Sequence, residues 1–167
     1  MTLYILRHAI ALSRDEWHEN DRDRPLSSKG ARNMRRIAAR MRDIPLSFDV
    51  ILSSPYRRAE QTAHIVAAAF KMKSKLRFSD HLTPEGDPQE LIHFVTSLSP
   101  APETVLLVGH EPYLSQLVST LLTGSSDLPL TLKKAGLVKL STSSLWYRRC
   151  ATLEWLLTPD VLLDKNK

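Results

Sequence analysis

The sequence predicts an α/β protein of three layers, an α/β/α sandwich with a mostly parallel central sheet. Three observations carry that expectation. Apolar runs of four or five residues recur along the chain and suit strands buried on both faces. Between them lie segments of helical period with one apolar side. Several segment starts carry Ser or Asp followed by Pro, which marks the beginning of a helix. Strands that alternate with helices run parallel and are covered on both sides. At roughly 100–200 residues per domain, the 167 residues are expected to form one domain, 1–167.

Leu3 to Leu6 is the first buried strand. Ser13 to Asp23 mixes Asp15, Glu16, Glu19, Asp21 and Asp23 with Arg and His and reads as a charged surface loop. From Ser28 to Asp43 the period becomes helical. Met34, Ile37, Ala38 and Met41 share one face, arginines fill the rest, and Ser27 or Ser28 can cap the start. Asp49 to Ser53 is a second strand. A helix is expected from Ser54-Pro55, with Ser as cap and Ala59, Thr62, Ala63, Val66 and Phe70 turned inward. A short strand is placed near Leu76 to Phe78. Asp87 caps a helix lined by Leu91, Phe94, Val95 and Leu98. Thr104 to Val108 is the clearest strand, and Glu111-Pro112 opens a helix lined by Leu114, Leu117, Val118 and Leu121. Leu137–Leu140 and Thr152–Leu157 close the chain as an antiparallel pair, placed at the sheet edge.

Hydrophobic residues at 43% and charged residues at 25% exclude wholesale disorder. The net charge is +5, and residues 1–80 hold 16 of the 23 basic side chains. Such a half points to an anionic partner (phosphate, nucleic acid or a membrane surface) or to a solvated basic helix face, and composition does not choose. The one cysteine, Cys150, forbids an internal disulfide and a multi-cysteine metal site, and its apolar neighbours point to a buried inert thiol. No apolar stretch approaches the ~20 residues of a membrane span. The run after Met1 lacks the form of a signal peptide, so a cytoplasmic location is expected.

In open parallel sheets, ligands bind beyond the carboxyl ends of the strands. There this sequence places Arg7-His8, then Ser54-Pro55-Tyr56-Arg57-Arg58, then Gly109-His110. A lone histidine is more often structural. Two histidines and at least two arginines at one edge, beside helix starts with free N–H groups, form a phosphate site with two imidazoles in it. Arginine in a helix's first turn opposes the helix dipole, and a bound anion would resolve that conflict.

These residues resemble the histidine phosphatase superfamily, with its phosphoglycerate-mutase-like fold. Leu6-Arg7-His8 is similar to its Arg-His-Gly signature. Ser54-Pro55-Tyr56-Arg57-Arg58-Ala59-Glu60-Gln61-Thr62 is similar to its second block, with Arg58 as the aligned arginine. Val108-Gly109-His110-Glu111-Pro112 is similar to the block of the second histidine. The short length, Arg24-Pro25-Leu26-Ser27 and Leu82-Thr83-Pro84-Glu85-Gly86-Asp87 point to the SixA-type phosphohistidine phosphatases. Ala9 departs from the usual glycine, so the turn there is expected to differ slightly. The family's carboxylic proton donor has no clear match: Glu85 lies in its region, and Asp87 is explained as a helix cap.

The resemblance implies that His8 is the nucleophile, and that Arg7, Arg58 and Arg24 clamp phosphoryl oxygens. It implies that His110 donates to those oxygens as imidazolium, with Gly109 beside it, and that water hydrolyses a phospho-His8 intermediate. No metal or cofactor is implied, because the arginines compensate the charge. The implied substrate is a phosphohistidine in a phosphorylated protein, since an acid-free site suits a P–N bond better than a P–O bond. A small phosphate ester or sugar phosphate is the alternative, and a non-catalytic anion-binding module a further one. With 7% aromatic residues and no stacking platform, nucleic acid is not expected as partner, nor is a membrane. The few spare residues imply a shallow, open site. Lys133 and Lys134 read as a solvated loop, or as contacts to an acidic partner.

Overall fold

The computed structural model describes residues 1–163. In chain order the strands are β1 (Thr2–Arg7), β2 (Val50–Ser53), β3 (Leu76–Phe78), β4 (Thr104–Gly109), β5 (Leu137–Ser141) and β6 (Thr152–Leu157). The helices are α1 (Ser28–Met41), α2 (Arg57–Ala69), α3 (Pro88–Ser97), α4 (Tyr113–Thr123) and α5 (Pro159–Leu163). The strands form one sheet in the order β3-β2-β4-β1-β5-β6. β3, β2, β4 and β1 pair in parallel, as the alternating pattern predicts.

Side chains along β1 alternate between two apolar layers, because successive residues of a strand point to opposite faces. Leu3 and Ile5 join Leu91, Val95, Leu114 and Leu117 of α3 and α4 on one side. Tyr4 and Leu6 join Met34, Ile37, Ala63 and Val66 of α1 and α2 on the other. The sheet is thus buried on both faces, which is why its strands read as unbroken apolar runs.

Several boundaries follow from local chemistry. The Ser27 hydroxyl accepts the Gly30 N–H at 3.0 Å and starts α1. Asp87 accepts the N–H groups of Gln89 and Glu90 and starts α3. Gly30 lets α1 lie directly against the loop after β1, because a Cβ there would overlap the Ile10 carbonyl. One boundary is corrected. Ser54 does not cap α2, which begins at Arg57 behind Tyr56; its hydroxyl is used elsewhere. The C-terminal strands form the expected antiparallel pair at one edge of the parallel strands. β5 sits inside the sheet, antiparallel to β1, and β6 beyond it runs the same way as β1. The segment after α4 returns the chain to the carboxyl end of β1, so β5 must start there and run backwards: Leu6 faces Leu137. Cys150 is half-buried and donates to the Trp146 carbonyl rather than lying deep in a core. The helix α5 was not legible in the sequence.

Candidate active site

β1 and β4 are in-register neighbours, with Arg7 opposite Gly109. The residues that follow them, His8 and His110, therefore emerge side by side. Gly109 contributes backbone: its carbonyl accepts the His8 N–H at 3.0 Å. The two imidazole rings lie 5.1 Å apart, centre to centre. β2 ends one strand further over, where the Ser54 N–H bonds the Val108 carbonyl. Three adjacent strand ends thus bring His8, His110 and Ser54 together.

His8 is only 6% exposed. Its Nδ1 lies 2.7 Å from the Ala9 carbonyl, an acceptor, so Nδ1 carries the proton and Nε2 holds a free lone pair. Burial, then the nearby His110, and less strongly Arg58 and Arg7, push the His8 imidazole well below its ordinary pKa, although the Ala9 bond opposes them. His8 is therefore neutral and nucleophilic at neutral pH. Ala9 keeps a negative φ and donates its N–H to the Thr62 hydroxyl, so the loop closes without the glycine.

His110 is 1% exposed, and burial together with Arg58 and Arg7 brings its pKa down to about 3. The free protein thus carries a neutral His110, not the imidazolium the resemblance implies; a bound phosphoryl dianion would push it back up. Its Nε2 is 2.8 Å from the Ser54 hydroxyl, whose oxygen already accepts the Tyr56 N–H. If Ser54 donates to Nε2, the proton of His110 sits on Nδ1, a buried atom without a protein partner among the described residues. That N–H is then available to a phosphoryl oxygen. Ser54→Ala is expected to lower kcat about tenfold with little change in KM, and to mix the His110 tautomers. ¹⁵N NMR shifts of the ring read the tautomer, and an unchanged pattern would remove Ser54 from this role.

The arginines converge on the same place. Arg7 donates to the Leu132 carbonyl at 2.8 Å. Arg58, in the first turn of α2, is 4% exposed and bonds Asp21 twice, to its carboxylate at 2.9 Å and to its carbonyl at 2.7 Å. Arg24 bonds the other Asp21 oxygen at 2.8 Å and the Leu12 carbonyl at 2.7 Å. Burial pushes the Asp21 carboxyl up, but Arg58 and Arg24 together outweigh it and keep the group ionised. The loop read as a charged surface thus supplies the counter-ion of the site. The Nε atoms of Arg7 and Arg58, like His110 Nδ1, are buried without partners among the described residues.

Tyr56 packs edge-on to His110 at 5.2 Å, and Arg58 lies over its ring. Its hydroxyl donates to Glu85 at 3.0 Å, which holds Glu85 at the rim. Asp87 is spent on capping α3. Lys133 pairs with Asp160 at 2.9 Å. Burial, then the like charges of Arg7, Arg24 and Arg58, lower the Lys134 ammonium, so this lysine belongs to the electrostatic field of the site. Of the shallow, open site expected, the structure shows that the His8 ring itself is buried, beside His110.

Both buried histidines take up protons when unfolded, near pH 6.5, but not when folded. Stability is therefore complete above about 6.5 and falls as pH drops toward the lowered folded values, by up to about 1.4 kcal/mol per pH unit for each imidazole. Urea unfolding at pH 7.5, 6 and 5 should show this fall. It should be shallower in His110→Gln, and an equal slope in that variant would contradict the neutral, buried His110.

The model of the histidine phosphatase superfamily (branch 1) matches residues 3–83, which include Arg7, His8 and Arg58. An uncharacterised protein of Picosynechococcus sp. is 37% identical over 145 residues, 86% of this chain and 87% of that protein. The phosphohistidine phosphatase SixA of Escherichia coli is 27% identical over 160 residues, 95% of this chain and 94% of that one. A solved structure of the protein histidine phosphatase SixA complexed with tungstate superposes with a TM-score of 0.81 at 25% identity, covering 95% and 97% of the two chains. Two histidines on adjacent strand ends, ringed by arginines, and these likenesses lead to one assignment: the chain belongs to the histidine phosphatase superfamily, branch 1, and within it is of the SixA type.

Proposed function

We propose that this phosphatase hydrolyses phosphohistidine in a phosphorylated protein, through a phospho-His8 intermediate. The observation that carries the substrate class is the engagement of every carboxylate near the site. Glu85 accepts from Tyr56, Asp87 caps α3, Asp21 bridges two arginines, and Glu111 accepts the Ser115 N–H. Among the described residues each carboxylate near the site is thus already tied to a partner, and none is set apart as the proton donor that an alkoxide leaving group requires. A phosphohistidine needs no such donor, because its imidazole leaves neutral when the second ring nitrogen already carries a proton.

In the first step Nε2 of His8 attacks phosphorus, the substrate P–N bond breaks, and its electron pair goes to the departing imidazole. Arg7 and Arg58, with Arg24 behind them, balance the charge on the three phosphoryl oxygens, and the His110 N–H donates to one of them. In the second step water attacks phosphorus, one of its protons passes to a phosphoryl oxygen, and His8 is released neutral with inorganic phosphate.

Turnover of a histidine-phosphorylated protein, set against a panel of small phosphate esters and sugar phosphates, tests this reading. The phosphohistidine substrate should have the higher kcat/KM, and Glu85→Gln should leave that turnover within about twofold. Faster turnover of the esters, together with a large loss in Glu85→Gln, would replace the proposal by an ester phosphatase with Glu85 as its acid.

A further inference from the structure

α1 and α2 pack side by side and leave a furrow on their outer surface. One end is formed by Leu26, Ser27 and Gln61, and the furrow continues past Arg35 and His64 to Lys73. Ala31, Ile65 and Ala68 give it an apolar floor. Arg32, Arg35, Arg57, His64 and Lys73 stand along it against a single carboxylate, Glu60. Glu60 is taken by Arg57 at 3.1 Å and faces His64 at 3.7 Å. Arg32, Arg35 and Lys73 have no ion pair among the described residues.

The charge on α1 is costly for an isolated helix. Its sequence from Ser28 to Met41 contains no acidic residue, and Arg32 and Arg36 stand at i,i+4 spacing, where like charges repel. The Leu26–Gln61 end adjoins the loop that follows β1. The Leu26 N–H donates to Gln61 at 2.7 Å, the Ser27 N–H donates to the Ile10 carbonyl at 3.0 Å, and Arg57 adjoins Arg58. Ile10, two residues from the nucleophile, exposes 38% of its surface.

We propose that this furrow docks an acidic amphipathic helix of the phosphorylated partner protein and so presents its phosphohistidine to His8. The inference rests on the phosphohistidine reading above. Complementarity carries it: an apolar floor with basic walls along α2, roughly 20 Å long, takes the apolar stripe and the acidic flanks of one helix. No Phe, Tyr or Trp side chain lines the furrow to stack bases, which favours a protein over a nucleic acid.

The test uses two peptides phosphorylated on histidine, each extended by a helix of about 14 residues with a leucine stripe. One carries glutamates along its flanks and the other glutamines. Free phosphohistidine serves as the small substrate. For the wild-type protein the acidic extension should lower KM about tenfold at low salt, an advantage that fades as salt rises. In Arg32→Glu/Arg35→Glu, two exposed positions, the advantage should vanish while turnover of free phosphohistidine stays unchanged. Equal KM values for the two peptides, or an advantage that survives the double variant, overturn the docking site. Fluorescence anisotropy of the unphosphorylated acidic peptide reads docking without chemistry. Binding there with no turnover of any phosphohistidine would sink the substrate reading alone, and tighter binding of a single-stranded oligonucleotide than of the acidic peptide would overturn the proposal in favour of nucleic acid.

Discussion

Replacing His8 with alanine is expected to lower kcat by at least about ten-thousand-fold, because it removes the group proposed to form the covalent intermediate. His110 cannot take over. Its Nε2 is committed to Ser54, and it stands on the neighbouring strand end. Acid quenching of the wild-type protein during turnover of ³²P-labelled phosphohistidine should leave label on the chain, mapped to His8 by mass spectrometry. The variant should carry none. A His8→Ala protein that retains a hundredth of wild-type activity, or labelling at His110, would overturn the assignment of the nucleophile. The substitution also removes one of two buried imidazoles that resist protonation. The variant should therefore lose less stability than the wild type on acidification, and a folded protein remains available for the assay.

Arg58→Ala carries the second large effect, a loss of about a thousandfold in kcat/KM. Two consequences combine. The guanidinium that balances the phosphoryl charge is gone, and the Asp21 carboxylate is left with Arg24 as its one remaining arginine. That anion, now only half compensated, then disfavours the negatively charged substrate. Removing both groups in Arg58→Ala/Asp21→Ala should accordingly recover part of the loss in KM, and the recovery measures the coupling of the pair. Arg58→Lys should restore less than about a tenth of the activity, since an ammonium cannot hold Asp21 and a phosphoryl oxygen with one planar fork. A kcat/KM for Arg58→Ala within tenfold of wild type would show that Arg7 and Arg24 suffice.

Much of this was legible in the sequence because the relevant signals are local. The strands are short apolar runs, the helix starts carry Ser27 and Asp87, and the site residues follow strand ends directly. What stayed hidden depends on contacts between distant segments. Asp21 lies 37 residues before Arg58 and looks like one acid among five in a polar loop; only the fold shows that two arginines select it. Ser54 before a proline has the form of a helix cap, and in the chain that form competes with a role it plays for His110 on another strand. The neutral state of His110 in the free protein stayed hidden for a related reason. Its pKa depends on burial and on arginines from β1 and α2, neither of which a single motif contains.

The pairing of Arg7 with Gly109 has a consequence for how the protein fails. His8 and His110 are anchored to the backbone ladder between two central strands, whose amides are expected to exchange with solvent only on global opening. Asp21 and Arg24 sit on or beside a three-residue 3₁₀ turn in a long loop, where opening is local and cheap. Under mild denaturant the two halves of the site should therefore part company. The counter-ion loop loosens first and phosphate affinity drops, while the imidazole pair keeps its geometry until global unfolding. Loss of KM ahead of loss of kcat along a urea series would be the signature of a catalytic centre built half on the most stable and half on the least stable part of one fold.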